Sequence, residues 1–152
     1  MTMNIVTRIR PGVKAFIVHE GKILVIKERI RDNRKTSLIY DVPGGGVEAG
    51  ESLRVALARE VMEEVGLAID VQHPVGGWDF VFHKSGTHEH VHVICLGYQC
   101  KLVGKPTIDT TKNPAIQEEI FDAQWLTKEE ILRSKKIMRN ADMRKALEHV
   151  VV

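Results

Sequence analysis

The segment 45–67 constrains the fold of this chain more than any other part of the sequence. It reads GGVEAGESLRVALAREVMEEVGL. Apolar residues recur at every fourth position from residue 53, at Leu53, Leu57, Val61 and Val65. This spacing predicts an amphipathic α-helix, and Gly66 stands just past its last turn, where glycine commonly ends a helix. We therefore expect a glycine-rich loop followed by a helix that packs its apolar face on a core.

Three glutamates lie close together on the predicted helix. Glu60, Glu63 and Glu64 stand at i, i+3 and i+4, so their side chains project from one face and repel each other. Glu60 and Glu64 lean towards the apolar stripe, where an unpaired charge is costly. A divalent cation offsets both effects, and Mg²⁺ prefers carboxylate, phosphate and water oxygens. The cluster predicts a magnesium site; the alternative is a solvated acidic face paired with nearby arginines and lysines.

The full pattern is more specific than the glutamates alone. It reads G-x5-E-x7-R-E-U-x-E-E-x-G-U, where U is an apolar residue. The fixed positions are filled by Gly45, Glu51, Arg59, Glu60, Val61, Glu63, Glu64, Gly66 and Leu67. This segment resembles the signature box of the Nudix hydrolase family, to which MutT-like proteins belong. The segment 118–126, EEIFDAQWL, is also similar to one that the family carries near its C-terminus.

The resemblance implies a set of metal ligands. Glu60 and Glu64 would bind the ion, Glu63 would share a further ion, and a backbone carbonyl of Gly44 or Gly45 would complete the shell. The expected cofactor is Mg²⁺, with Mn²⁺ as an alternative.

The resemblance also implies the residues that support catalysis. Arg59 and Glu51 would form an ion pair that holds the loop against the helix. The general base would be a box glutamate, Glu63, or an acid outside the box. Glu119 stands six residues before Trp125, the spacing of the family's extra acid.

Glu118 is the rival of Glu119 for that role. Neighbouring residues of a strand point to opposite faces, so only one of the two can reach the metal site. That both are solvated is the other alternative.

A basic segment precedes the glycines and is expected to be a loop. Its cationic residues are Arg29, Arg31, Arg34 and Lys35. Arginine binds phosphate through two parallel hydrogen bonds, so this loop is a candidate grip for a terminal phosphate. The alternative is that the basic side chains are only solvated.

Aromatic and histidine residues alternate further along the chain. Trp78 and Phe80 share one strand face with Phe82, and they could stack on a base or pack in the core. His90 and His92 share a face with His88; a zinc site is conceivable, but a polar wall of the nucleotide pocket fits better.

The remaining patterns predict alternating strands and helices. Strands are expected at 12–19, 22–28, 38–42, 69–73, 76–83, 89–101 and 119–126. Helices are expected in the box, after a capping box at Thr127 and Glu130, and at about 140–150. We expect an α/β fold, a Nudix-type α/β/α sandwich with a mixed sheet flanked by helices, which the resemblance also implies. Residues 1–152 are expected to form a single Nudix hydrolase domain.

Composition narrows the function classes. The net charge of +2 favours neither a DNA-binding stripe nor an acidic tail, so no stable nucleic-acid binding is expected. The sequence contains no apolar run of membrane-spanning length and no signal-peptide pattern, so the expected location is the cytoplasm without membrane binding.

Cys95 and Cys100 lie five residues apart in one predicted strand, too distant to bridge. A homodimer is compatible with the sequence.

The predicted function is metal-dependent hydrolysis of a diphosphate bond in a nucleoside diphosphate linked to another group. Within that class, a nucleoside or deoxynucleoside triphosphate giving monophosphate and pyrophosphate fits best. The alternatives are an ADP-ribose or nucleotide-sugar pyrophosphatase, or a Nudix-fold sensor that binds nucleotides without cleaving them.

Overall fold

The structure is a computed structural model that describes residues 6–32, 35–84, 86–114, 118–138 and 140–152. The strands are β1 (Val6–His19), β2 (Lys22–Asp32), β3 (Lys35–Asp41), β4 (Gly44–Gly46), β5 (Ala68–His83), β6 (Glu89–Val103) and β7 (Glu118–Leu126). The helices are α1 (Leu53–Val65), α2 (Lys128–Arg133) and α3 (Ala141–Glu148). No helix among the described residues is long and apolar enough to cross a membrane.

The described strands form one mixed sheet. Its main path runs β3-β2-β1-β6-β5, while β4 pairs with β1 and β7 pairs with β2. β1 and β6 run parallel, and the other pairs are antiparallel. β1 pairs with β2 at Val18 and His19, and it pairs with β4 at residues 12–14. The glycine strand β4 therefore lies where β1 and β2 separate.

Apolar clusters on both sides of the sheet make the predicted α/β/α sandwich, which is confirmed. One cluster lies under α1 and includes Val13, Leu24, Leu57, Val61 and Cys100. The other lies under the C-terminal helices and includes Phe16, Val25, Trp78, Cys95 and Leu147. The two cysteines are buried in different clusters, in agreement with the prediction that they cannot bridge.

Both ends of α1 have local causes. The Ser52 side chain accepts a hydrogen bond from the Val55 N–H, which caps the first turn. Gly66 has φ 69°, a left-handed conformation that costs glycine little, and its N–H bonds to the Met62 carbonyl. The predicted capping box of α2 is also confirmed, since Thr127 and Glu130 bond to each other's backbone N–H groups.

The prediction of a basic loop after residue 28 is wrong. β2 continues through Arg29 and Arg31, which pair with Leu38 and Thr36 of β3. β7 pairs with the other edge of the same segment. Backbone pairing on both edges favours a strand despite the polar composition, because long basic side chains can extend into water. Arg34 and the side chains of Arg31 and Lys35 lie outside the described residues.

Two further elements differ from expectation. The sequence predicts two strands, 69–73 and 76–83, but the structure has one strand, β5, across both. Register shifts near Val71 and Pro74 accommodate the proline and the glycines within this strand. The short strand β4 was not predicted, since three glycines have low strand propensity. Its pairing with β1 overrides that propensity.

Candidate functional site

The glycine strand and α1 meet at Gly45 and Glu60. β4 pairs with β1 through Val13 opposite Gly45 and Gly12 opposite Gly46. A Cβ atom added at Gly45 would lie 2.5 Å from Cδ of Glu60. Glycine at this position therefore lets the Glu60 carboxylate lie directly against the backbone of β4.

Arg59 joins the loop to the helix glutamates. Its Nε and Nη2 donate to Oε2 and Oε1 of Glu51 at 2.8 and 2.7 Å. Nη2 also donates to the carbonyl of Gly46 at 3.1 Å, and Nη1 donates to Glu60 at 3.0 Å and Glu63 at 3.3 Å. One guanidinium thus fixes the loop after β4 and two of the predicted metal ligands.

The pKa values reflect this network. The hydrogen bond from Arg59 is the main reason why the pKa of Glu51 falls to about 2, and the backbone N–H of Glu48 assists. The same bond to Glu51 raises the pKa of Arg59. Burial raises the pKa of Glu60, although Arg59 opposes the shift. A cation at this position would favour the charged form of Glu60.

Glu64 is the most buried of the three helix glutamates, with 4% of its surface exposed. Its Oε1 accepts a hydrogen bond of 3.2 Å from the Gly44 N–H. The helix therefore presents Glu64 to the start of β4 and Glu60 to its middle.

Sequence reasoning missed two charged residues, Lys14 and Glu28, whose charges interact. Lys14 of β1 forms an ion pair with Asp41 at 3.1 Å and donates to the Val42 carbonyl at 3.3 Å. Burial by itself lowers the pKa of Lys14, but Asp41, Glu28 and Glu64 outweigh it and the pKa rises. Glu28 of β2 is also buried. For Lys14 the available signal was its position inside the apolar segment 13–18, whereas Glu28 lies between Lys27 and Arg29 and gave no such signal.

The donor set fits a hard divalent cation. Three carboxylates and the β4 carbonyls supply only oxygen, the ligand that Mg²⁺ prefers. In the part of the chain that the structure describes, no three His, Cys, Asp or Glu side chains are grouped closely enough to hold an ion by themselves. Arg59 lies between Glu60 and Glu63, so these carboxylates must turn, or substrate and water must supply ligands. The assignment of Gly45, Glu60, Glu63 and Glu64 to the metal stays a prediction.

The structure brings together Arg29 and Glu119. They are partners across β2 and β7, and Arg29 Nη1 lies 3.1 Å from Oε2 of Glu119. Ile120 packs into the cluster under α1, so strand alternation directs Glu119 to the other face. The role of Glu119 as base stays a prediction, as does the role of Arg29. The side chain of Glu118 lies outside the described residues.

The aromatic and histidine candidates differ in burial and in their contacts. Trp78 is 6% exposed and packs edge-on against Phe16, which favours its core alternative. Phe80 is 43% exposed and contacts Phe82. His92 Nε2 lies 2.6 Å from Asp79 Oδ2. The described residues include no histidine cluster able to hold a metal ion.

The family can be established from a comparison of sequences. A profile of the family described as NUDIX domain matches residues 8–150 of this chain. The chain belongs to the Nudix hydrolase family. The box that defines the Arg59 network is therefore part of a Nudix domain that extends over almost the whole sequence.

Relatives that are named for different substrates are similar to this Nudix chain. A nucleoside triphosphatase NudI from Enterobacter sp. is 30% identical over 98 residues, covering 60% of this chain and 64% of that protein. An ADP-ribose pyrophosphatase from Methanocaldococcus jannaschii is 31% identical over 117 residues, covering 77% of this chain and 64% of that protein. The chain thus spans less than two thirds of the length of either relative.

Solved structures share the fold. The crystal structure of a MutT protein from Methanosarcina mazei Go1 superimposes with a TM-score of 0.70 at 26% identity, covering 93% of this chain and 92% of that one. A MutT NUDIX hydrolase from Burkholderia pseudomallei gives 0.67 at 26% identity, with 95% and 99% covered.

Proposed function

We propose that this protein hydrolyses a diphosphate bond in a nucleoside diphosphate linked to another group, in a reaction that depends on Mg²⁺ or Mn²⁺. The observation that carries the proposal is the contact of Arg59 with Glu51, the Gly46 carbonyl, Glu60 and Glu63. A structural helix has no need of three clustered glutamates, two of which, Glu60 and Glu64, lie against a glycine strand.

The chemistry needs charge neutralisation, an oriented water and a proton acceptor. A bound divalent ion would neutralise the phosphate oxygens and lower the pKa of a water. Glu60, Glu63 and Glu64 would hold the ion, with the Gly45 carbonyl beside them. Arg59 bonds to both Glu60 and Glu63, which limits their motion and would reduce the reorganisation required at the moment of reaction. Glu119 or Glu63 would accept the proton of the water.

For the substrate we propose a nucleoside or deoxynucleoside triphosphate, cleaved to monophosphate and pyrophosphate. The similarity to NudI, named a nucleoside triphosphatase, supports this class. A second candidate is ADP-ribose or a nucleotide sugar, because the ADP-ribose pyrophosphatase relative covers more of this chain. Both candidates are cleaved between two phosphorus atoms, so the same carboxylates would serve either.

The test is a substrate screen with Mg²⁺ against triphosphates, ADP-ribose, nucleotide sugars and dinucleoside polyphosphates, followed by product analysis in ¹⁸O-water. We expect pyrophosphate and monophosphate from a triphosphate, and poor hydrolysis of phosphomonoesters, which lack a second phosphate to share the metal charge. Inorganic phosphate as the first product would contradict cleavage between the α and β phosphates. Tight binding without turnover would support the sensor alternative.

A further inference from the structure

The side chain of Arg10 lies on the backbone of the glycine strand. Arg10 belongs to β1, and β4 pairs with that strand two residues further on, at Gly12. A Cβ atom added at Gly46 would lie 2.6 Å from Nε and 2.7 Å from Cζ of Arg10. The Arg10 guanidinium therefore occupies the space that any side chain at position 46 would need.

The charge of Arg10 has no carboxylate at ion-pair distance among the described residues. The neighbouring cations on the same strand differ, because Arg8 pairs with Glu89 at 2.8 Å and Lys14 pairs with Asp41 at 3.1 Å. Arg10 is solvent-exposed, so an incoming anion can reach it without breaking an ion pair.

Arg10 also lies one residue along β4 from the contact of that strand with Glu60. Glu60 lies against Gly45 and Arg10 lies against Gly46. Because neighbouring residues of a strand face opposite sides, the carboxylate and the guanidinium flank the β4 backbone from its two sides, one residue apart. A phosphate chain at this strand could contact a metal ion held by Glu60 and the guanidinium of Arg10 together.

We propose that Arg10 binds a phosphate group of the substrate beside the metal site, and that Gly46 leaves the space in which its guanidinium lies. This inference rests on the proposed diphosphate hydrolysis and adds a phosphate-binding residue from outside the signature box. Arginine suits the role because its planar guanidinium donates two parallel hydrogen bonds to a phosphate.

The first test measures the affinity for inorganic pyrophosphate by calorimetry at saturating Mg²⁺. Arg10→Met should weaken binding by roughly tenfold or more, the usual effect of losing a charge-assisted hydrogen bond, and Arg10→Lys should weaken it less. Arg8→Met is the matched control, since Arg8 lies on the same face but is paired with Glu89; its affinity should stay within about twofold. Equal losses in the Arg8 and Arg10 variants would indicate only a general charge effect and overturn the proposal.

The second test uses the contact between Arg10 and Gly46. A methyl group in Gly46→Ala would displace the guanidinium, so this variant should lose about as much affinity as Arg10→Met. In the Arg10→Met background the alanine should have little further effect, which makes the two changes non-additive. Additive losses would show that Gly46 acts independently of Arg10 and would overturn the coupling.

Turnover separates this inference from the proposed function. If the wild type hydrolyses nucleotides and Arg10→Met keeps both its pyrophosphate affinity and its KM, only the role of Arg10 fails. If the wild type hydrolyses no nucleotide but Arg10→Met still weakens pyrophosphate binding, only the proposed reaction fails. A wild type that does not bind pyrophosphate with Mg²⁺ would overturn the role of Arg10.

Discussion

At the scale of single residues, Arg59 organises the candidate site. Its guanidinium contacts the loop residue Glu51, the Gly46 carbonyl and two helix glutamates. The planar fork allows Nε and Nη2 to bond the two oxygens of one carboxylate while Nη1 reaches others. A lysine carries the same charge but cannot form these bonds simultaneously.

We predict that Arg59→Lys lowers kcat by roughly 100-fold, because small displacements of catalytic groups are costly. The control is Arg54→Lys on the same helix, since Arg54 bonds to the carbonyls of Val71 and Gln72 on β5 instead. Steady-state kinetics on the substrate found in the screen measure the effect. Comparable kcat losses in both variants would contradict a specific role for Arg59.

The ionisation of Glu51 predicts a pH dependence of stability. Its pKa falls from 4.5 to about 2, chiefly through Arg59. A carboxylate whose pKa is lower in the folded state stabilises that state at pH values above its unfolded-state pKa. This stabilisation is lost as the pH falls towards the folded-state pKa. The difference in unfolding free energy between wild type and Glu51→Gln should therefore be constant above pH 4.5 and shrink below it. Urea unfolding across this range measures the difference; a constant gap would contradict the ion pair.

At the scale of elements, the pairing of β7 with β2 determines what Glu119 can contact. The Arg29–Glu119 pair is largely exposed, so it should contribute little to stability. A loss of activity on changing Glu119 would thus report on function rather than on folding.

We predict that Glu119→Gln lowers kcat by about 100-fold or more, as expected for a general base, with the melting temperature nearly unchanged. Glu118→Gln is the matched comparison and should keep kcat within a few-fold of wild type. A larger loss in the Glu118 variant would mean that the opposite face of β7 serves the site. A shift of the acidic limb of the pH–rate profile would separate a base from a residue that only positions Arg29.

At the scale of the whole molecule, metal binding should couple the loop, β4 and α1. An ion that binds only the folded state stabilises it by about 2.7 kcal/mol at 100 times its Kd. For a chain of this size that corresponds to a rise in melting temperature of roughly 5–10 °C. We predict this rise on adding Mg²⁺ and its reversal by a chelator.

Glu64→Gln provides the control for the metal effect. The amide oxygen can still accept the Gly44 N–H that now bonds to Oε1, so the fold should persist. The variant should lose both the Mg²⁺-dependent rise and most of its turnover. Full activity of this variant at saturating substrate would refute the metal assignment.

The local features of the site could be predicted from the sequence. The apolar spacing predicted α1, Gly66 predicted its end, and Thr127 with Glu130 predicted the capping box of α2. These features depend on groups within one helical turn of each other, so adjacent residues contain the information. The same box also led to the Nudix family, because its fixed positions are specific.

Contacts between distant segments required the tertiary structure. Pairing of β1 with β4 placed Arg10 on Gly46 and Lys14 beside Asp41, and pairing of β2 with β7 converted the expected basic loop into strand and joined Arg29 to Glu119. Residue spacing specifies which faces a strand presents but not which strand lies beside it. That choice depends on the burial of both sheet faces at once, a property of the whole chain.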